Sequence, residues 1–281
     1  MSKSESPTSA VKPVSRTAWY TCGVRAEDAR APHSVLHDRH AEALMTPDGW
    51  ELVAAMRDLP RASAGILARH RLIDDRVRAL LAEDPELRIV ILGAGLDTRA
   101  FRLPGGRWWE LDEPAVIEFK ERELPASSAP RPLLRIAVDF QHDSLGERLA
   151  AIGDSGPVLV IIEGVLLYLD ADEQLRTAHA LHGLGPEVRV LFDVMTPVFF
   201  KRLGHVAHGR LASFGAPFRM QDVQVARVWA QAGFQEEQRW SIPSTVRRLG
   251  LTEIPEWLLN SALIRIRDGY TVREMKYTRT P

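Results

Sequence analysis

A single cysteine, Cys22, stands in a chain of 281 residues, so no disulfide can form within it, and a reducing, cytoplasmic setting is expected. Charge of one sign is also lacking. Lys+Arg number 36 against 37 Asp+Glu, which leaves no basic face of the kind that holds nucleic acid. Long hydrophobic runs are missing too. The longest, Pro157–Leu169, is interrupted by Glu163 and is too short to cross a bilayer, so no membrane partner is expected. Met1–Val14 is rich in Ser, Pro and Lys and has no apolar centre, which excludes a signal peptide there and predicts a disordered leader over residues 1–14. No internal repeat or low-complexity tract stands out.

What is present is a chain 45% hydrophobic, enough for one large core with a cap or lid. Its organising stretch is Arg88–Leu103, RIVILGAGLDTRAFRL. Ile89, Val90, Ile91 and Leu92 form an unbroken aliphatic run, suited to a strand buried on both faces of a parallel sheet. Gly93-Ala94-Gly95 follows at once, and Asp97-Thr98 offers a helix start. Strand, glycine turn and helix make the first half of a nucleotide-binding βα unit, in which a side chain would keep the backbone from a cofactor. A dinucleotide fingerprint wants a third small residue where this chain has Thr98, so a pyrophosphate is disfavoured. A cofactor with an adenosine and no phosphates, of which S-adenosylmethionine is the commonest, has no need of that glycine.

Residues ahead of this unit read as a helical preface. Helices are predicted over Ser15–Arg30, Arg39–Met45, Gly49–Met56 and, longest of all, Arg61–Leu81. From Arg88 the pattern alternates. Strands are predicted at Arg107–Leu111, Leu133–Val138, Pro157–Glu163 and Val188–Val194, with helices beginning at Glu113-Pro114, Leu145–Ile152 and Asp170–Leu184, the last capped by Asp170 or Asp172. Such alternation predicts a doubly wound α/β fold with right-handed crossovers. Thr196–Met220 interrupts it, Val223–Ala232 is again helical, and Phe234–Trp240 with Tyr270–Tyr277 supply a final antiparallel pair at one edge. The expected organisation is one domain over 15–281: cap 15–84, cofactor-binding core 88–194, lid or substrate insertion 195–221, and the remainder of the sheet 222–281.

Ligands of such sheets lie beyond the carboxyl ends of the strands. There the sequence places Gly93 and Gly95 after the first strand, Asp112 after the second, Asp139 after the third and Glu163 after the fourth. Asp112 follows Gly95 at the distance where an acid meets ribose hydroxyls, and a carboxylate accepts two such donors at once. Each acid taken singly is equally readable as a helix cap or a solvated strand end.

The chain resembles the leucine carboxyl methyltransferase family, and within it bacterial enzymes related to polyketide carboxyl O-methyltransferases. The matching residues are LGAGLDTRAFRL at Leu92–Leu103, ELDEPAVIEFK at Glu110–Lys120 and EGVLLYL at Glu163–Leu169. SRTA at Ser15–Ala18, HDRHAEAL at His37–Leu44 and ARHRLIDD at Ala68–Asp75 match as well, whereas the part after Thr196 matches only loosely. The resemblance implies a Rossmann-like class I methyltransferase fold: a mostly parallel seven-stranded sheet with a helical N-terminal cap and a lid after the fifth strand. It implies S-adenosyl-L-methionine as cofactor. Arg69, with Arg71 as a second candidate, would pair with the methionyl carboxylate, and Gly93, Ala94 and Gly95 would underlie the methionyl part. Asp112 would hold the ribose, Asp139 and Phe140 would flank the adenine, and Glu163 would reach the methionyl ammonium. Phe140 departs from the family's usual leucine.

A carboxylate acceptor is already ionised near neutrality and needs no base, whereas a hydroxyl does. The catalytic residue stays open. His205 and His208 in the insertion are candidate bases against a plain reading as surface loop, and Tyr168 either faces the methyl group or packs beside the fourth strand. Trp19, Tyr20, Phe199, Phe200, Phe214 and Phe218 are candidate acceptor contacts, with core packing as the plainer reading. His33, His37 and His40 have no acidic or cysteine partner completing a metal set, and no metal is expected. The acceptor expected is a small, natural-product-like molecule. A protein carboxyl terminus, a nicotinamide-dependent oxidation and a non-catalytic binder are the rival readings.

Overall fold

The computed structural model describes residues 13–140, 142–153, 155–206, 209–210 and 225–279, with side chains described from Thr17 onward. The expectations for the leader up to residue 12, for His208, Phe214 and Phe218, and for about half of the 195–221 insertion lie outside those residues; Pro13 and Val14, expected in the leader, open the first helix.

The sheet has seven strands: β1 (Arg88–Leu92), β2 (Arg107–Asp112), β3 (Leu133–Ala137), β4 (Val158–Ile162), β5 (Glu187–Met195), β6 (Gln235–Ser241) and β7 (Tyr270–Thr278). Their order is β3-β2-β1-β4-β5-β7-β6. The first five are parallel, and β7 runs antiparallel to both β5 and β6. Val90 pairs with Trp109 on one side and Val160 on the other, so β1 is central. Strand geometry turns successive side chains to opposite faces. Ile89, Ile91, Trp108, Leu159 and Ile161 therefore pack on one side, and Val90, Leu92, Trp109, Val160 and Ile162 on the other. This is why an unbroken aliphatic run, not an alternating one, marks these strands.

Three helices form the preface: α1 (Pro13–Arg30), α2 (Pro47–Ala55) and α3 (Pro60–Glu83). Helix α3 carries Leu72, Ile73, Val77, Leu80 and Leu81 into the core beside β1. It ends at Asp84, just before Pro85, where a proline ring disfavours helix. Helices α4 (Arg99–Arg102), α5 (Pro114–Glu123), α6 (Leu145–Ala150) and α7 (Ala171–Leu181) follow the parallel strands. Of the two proposed caps for α7, the structure selects Asp170. Its side chain accepts from Glu173 N–H at 2.8 Å while Glu173 accepts from Asp170 N–H at 2.8 Å, a capping box. Helix α8 (Pro197–Phe199) runs on into a π-helical turn, Phe200–Gly204, and α9 (Val225–Gln231) precedes β6.

Three differences from the sequence expectation have simple causes. Arg39–Met45 yields only a 3-10 turn, Glu42–Leu44. Helix α4 is a single turn, because Leu103 is already extended (φ −89°, ψ 145°) ahead of Pro104. Helices α10 (Ile242–Arg248), α11 (Glu256–Leu259) and α12 (Ile264–Arg267) were not foreseen, since one or two turns are too few to repeat an apolar stripe. No helix among the described residues is long and apolar enough to cross a membrane.

Ile161 is fully buried in the middle of β4. Ile161→Ala should destabilise the protein by about 2–5 kcal/mol, read from the urea midpoint at unchanged slope.

Candidate cofactor and acceptor site

A cavity of about 1560 Å³ opens at the carboxyl ends of β1, β2 and β4, and α1, α3 and α10 also contribute to its walls. Its floor is the turn after β1. The Leu111 carbonyl accepts from both Gly93 N–H (2.9 Å) and Ala94 N–H (3.0 Å), folding the turn back onto β2. Gly93 has φ +71°, and a Cβ there would lie 2.5 Å from Val165 Cγ2 in the loop after β4. A side chain is thus excluded twice, by backbone conformation and by space. Gly95 N–H donates to Asp112 Oδ2 at 2.6 Å, and Glu113 N–H to Asp112 Oδ1 at 2.7 Å. Burial pushes the Asp112 carboxyl up from its ordinary pKa, and these two amides oppose the shift. Each Asp112 oxygen keeps a lone pair for a further donor.

Glu163, one residue past β4, is the hub of the opposite wall. Its Oε1 accepts from Arg69 Nε (2.9 Å) and its Oε2 from Arg99 Nη2 (2.7 Å), with His70 Nδ1 3.2 Å from Oε2. Arg69 Nη1 donates to Asp193 Oδ2 (3.1 Å) and to the Tyr270 hydroxyl (2.9 Å), and that hydroxyl donates to Asp193 Oδ2 (3.1 Å). Asp193 Oδ1 accepts from Gly164 N–H at 2.6 Å, so a residue of β5 holds the backbone beside Glu163. Arg69 Nη2 makes no hydrogen bond among the described residues.

Behind this wall the pairing continues. Arg99 joins Asp74 (2.6 Å) and Asp97, Arg102 joins Asp74 (2.8 Å), and Arg25 pairs with Asp38 while donating to the Leu96 carbonyl (2.6 Å). Four guanidinium groups (Arg25, Arg69, Arg99, Arg102) thus face five carboxylates (Asp38, Asp74, Asp97, Glu163, Asp193), and Arg78 adds a more distant pairing to Asp74 at 3.9 Å. Burial alone would raise the carboxyl pKa values of Asp38, Asp74, Asp97 and Glu163, but the adjacent guanidinium groups outweigh it and hold all four below their ordinary range. For His70 burial works the other way: with help from Arg99 it lowers the pKa and keeps the ring neutral. Guanidinium nitrogens flank both ring nitrogens, Arg102 Nη2 at 2.9 Å from Nε2 and Arg99 Nη2 at 2.9 Å from Nδ1, while Glu163 Oε2 lies 3.2 Å from Nδ1.

Of the residues singled out from sequence, Arg69, Gly93, Ala94, Gly95, Asp112, Phe140, Glu163 and Tyr168 all line this cavity. Arg71 does not. Two residues from Arg69, about 200° around the helix, it pairs with Asp75 (2.7 Å) and the Val35 carbonyl (3.1 Å) on the other face of α3, which corrects its assignment as a second carboxylate partner. Asp139 is also off the wall. Its carboxylate meets His142 Nδ1 at 3.0 Å, and Asp143 and Ser144 continue the wall past Phe140. His205 is exposed and away from the cavity. Tyr168 is partly buried, which raises its pKa, and its hydroxyl hydrogen-bonds Thr17 of α1. Among the aromatic candidates Tyr20 and Phe199 line the cavity, whereas Trp19 packs edge-on to Phe119.

His33, His37 and His40 form no metal-like group among the described residues; the group with that geometry is His70, Asp97 and Glu163. Arg99 already supplies a cation there, its Nη1 on Asp97 and its Nη2 on Glu163, so these residues do not fit a metal. Sequence reading passed over His70, Asp74, Asp97, Arg99, Asp193 and Tyr270. The available signal was charged residues inside the buried stripe of α3 and at the end of β5, where an unpaired charge is too costly to keep.

With this geometry in place, the match to known proteins is specific. The model of the leucine carboxyl methyltransferase family matches residues 18–182, and the chain belongs to that family. A protein of Parafrankia sp. (strain EAN1pec) named "Putative S-adenosyl-L-methionine-dependent methyltransferase" is 34% identical over 179 residues, 58% of this chain and 57% of that protein. The chain therefore spans about three-fifths of the length of such relatives. Among solved structures, a DUF574 family protein from Streptomyces avermitilis superposes with a TM-score of 0.59 at 15% identity, over 89% of this chain and 99% of that one. A "putative methyltransferase" from Thermobifida fusca gives 0.59 at 14%, over 86% and 94%. These two support the fold: the seven-stranded, mostly parallel sheet with helices of class I methyltransferases.

The neutral His70 has a measurable consequence. Its folded pKa lies below the unfolded value of about 6.5, so the stability it confers is present above that pH and lost as pH falls through the window beneath it. Between pH 7.5 and 5.5 unfolding free energy should fall with a slope of up to about 1.4 kcal/mol per pH unit, and His70→Gln should remove most of that slope. An equal slope in the variant, by urea titration, would show that the ring is protonated in the fold.

Proposed function

We propose that the chain is an S-adenosyl-L-methionine-dependent methyltransferase that methylates an oxygen of a small acceptor, and that the oxygen is a carboxylate. The observation carrying this reading is the division of the cavity. At about 1560 Å³ it exceeds the roughly 300–1,000 Å³ of a pocket for one small ligand. One half is polar and charged, built by Gly93, Gly95, Asp112, Glu163 and Arg69; the other is apolar, built by Met195, Phe199, Ile242 and Val246.

The charged half fits the cofactor by its donor set. Asp112 offers acceptors for ribose hydroxyls, Glu163 an acceptor for an ammonium, and Arg69 Nη2 a free donor for a carboxylate. Gly93 tolerates no Cβ, since Val165 Cγ2 would stand 2.5 Å from it, and this keeps the turn close under the charged half. When bound, the cofactor supplies an electrophilic methyl group on a sulfonium. The chain's own contribution is then to orient two reactants and exclude water.

Choice of the acceptor oxygen follows from how few bases stand among the described cavity residues; His179 of α7, its ring tilted on His182, is the one histidine lining it with no hydrogen bond. His70 has both ring nitrogens engaged, Tyr168 and Tyr270 are held protonated by burial, and His205 stands away from the cavity. None of these is a ready base. A carboxylate needs none, whereas a hydroxyl does.

Incubation with methyl-labelled cofactor and a panel of apolar carboxylic acids and phenols tests the assignment. Label recovered as base-labile ester supports it, and base-stable ether would overturn the carboxylate choice. No transfer together with no binding of adenosylhomocysteine would overturn the function itself. Asp112→Ala should weaken adenosylhomocysteine binding by about 1.5–3 kcal/mol in calorimetry, roughly ten- to a hundredfold.

A further inference from the structure

Helix α3 presents Arg61, Gly65 and Arg69 to the cavity at four-residue spacing. At 1.5 Å per residue the two arginines stand about 12 Å apart along the wall. They differ in engagement. Arg69 is buried and tied to Glu163, Asp193 and Tyr270, whereas Arg61 is exposed and makes no hydrogen bond or ion pair among the described residues. Between them Gly65 leaves a lane: a Cβ there would meet nothing nearer than Tyr270 Cε1 at 3.9 Å.

Among the described residues the nearest acid in sequence, Asp58, is taken by Arg210, and apolar side chains share the cavity with Arg61. Met195, Phe199, Ile242, Val246, Leu251 and Ile266 face this half of the cavity. The acids that line the cavity come from the turn after β1 (Asp97), the ends of β2 and β4, and the segments around α6 and α7. Helix α3 adds to the same bias. Its N-cap, Leu59, offers no side-chain acceptor and its first turn holds no acid; Asp58, just before the cap, is paired with Arg210.

We propose that Arg61 recognises the acceptor, and that the acceptor is an elongated amphiphile: an apolar body lying along Gly65, a carboxylate or phosphate at Arg61, and the methylated oxygen at the opposite end, within about 12 Å. This rests on reading the charged half of the cavity as the cofactor site. It assigns the acceptor two polar ends, one that reacts and one that is gripped, and makes the depth of the lane a length gauge.

The test uses the full chain saturated with adenosylhomocysteine, titrated with monomethyl decanedioate, whose free carboxylate mimics the gripped end, and with neutral dimethyl decanedioate. The monoester should bind three- to tenfold tighter. Arg61→Gln, an exposed change that leaves the core untouched, should abolish that preference without altering binding of the diester, and Arg61→Lys should restore part of it. A phosphonate of the same length with its carboxyl end methylated separates the two anions: tighter binding than the monoester assigns a phosphate, weaker binding a carboxylate. Gly65→Leu should block both esters yet leave adenosylhomocysteine affinity as it was. Equal binding of the two esters to the unmodified protein, or a preference that survives Arg61→Gln, would overturn the proposal. Titration of adenosylhomocysteine alone keeps the two readings apart. Absent cofactor binding with an intact anion preference would sink the methyltransferase reading and leave the Arg61 site standing.

Discussion

The constraint on which the rest of the structure depends is that the Glu163 carboxylate, buried at the end of β4, must be answered by positive charge. A buried carboxylate left alone would cost several kcal/mol, and breaking one partner of such a pair typically costs more than forming it returns. Two guanidinium groups from separate parts of the chain, Arg69 of α3 and Arg99 of the turn after the glycines, meet it. Each in turn requires an acid. Asp193 of β5 answers Arg69, and Asp74 and Asp97 answer Arg99. The helical preface, the glycine turn and the far side of the sheet are thereby fixed to one another at the place where a ligand would sit. A network of this kind contributes little net stability compared with apolar packing; what it specifies is position.

The cavity divides along the chain as well as in chemistry. Its charged half comes from the segment matched by the family, residues 18–182. Its apolar half comes largely from the residues after β5, through α8, α10 and the loops to β7. Two contributions cross that division. Asp193 and Tyr270 reach back to hold Arg69, and Arg61 reaches forward from α3. The same helix therefore serves both halves, its buried arginine tied to the charged wall and its exposed one without an ion pair among the described residues.

Legibility of the fold followed burial. Strands β1 and β4 were readable because a strand covered on both faces must be aliphatic throughout, and α3 because a long amphipathic helix repeats its stripe many times. Segments of four to seven residues, α10 to α12, repeat nothing and were missed. At the site, the glycines, Asp112 and Glu163 could be placed because strand ends in a parallel sheet have a known relation to a ligand. Arg71 was misplaced because sequence proximity to Arg69 says nothing about which face of a helix a residue occupies. Asp139 lay at the expected strand end, yet its carboxylate was taken by His142, three residues on.

By itself the sequence determined the order of strands and helices, the position of the glycine turn, and the identities of the acids along the sheet's rim, because all of these are local or periodic properties. Only the tertiary structure decided which charges face one another. Glu163 meets Arg69 at a separation of 94 positions along the chain, and Arg69 meets Tyr270 at 201. No local pattern encodes such pairings. They arise when the packing of α3 against β5 and β7 brings opposite charges together in a place where water cannot separate them.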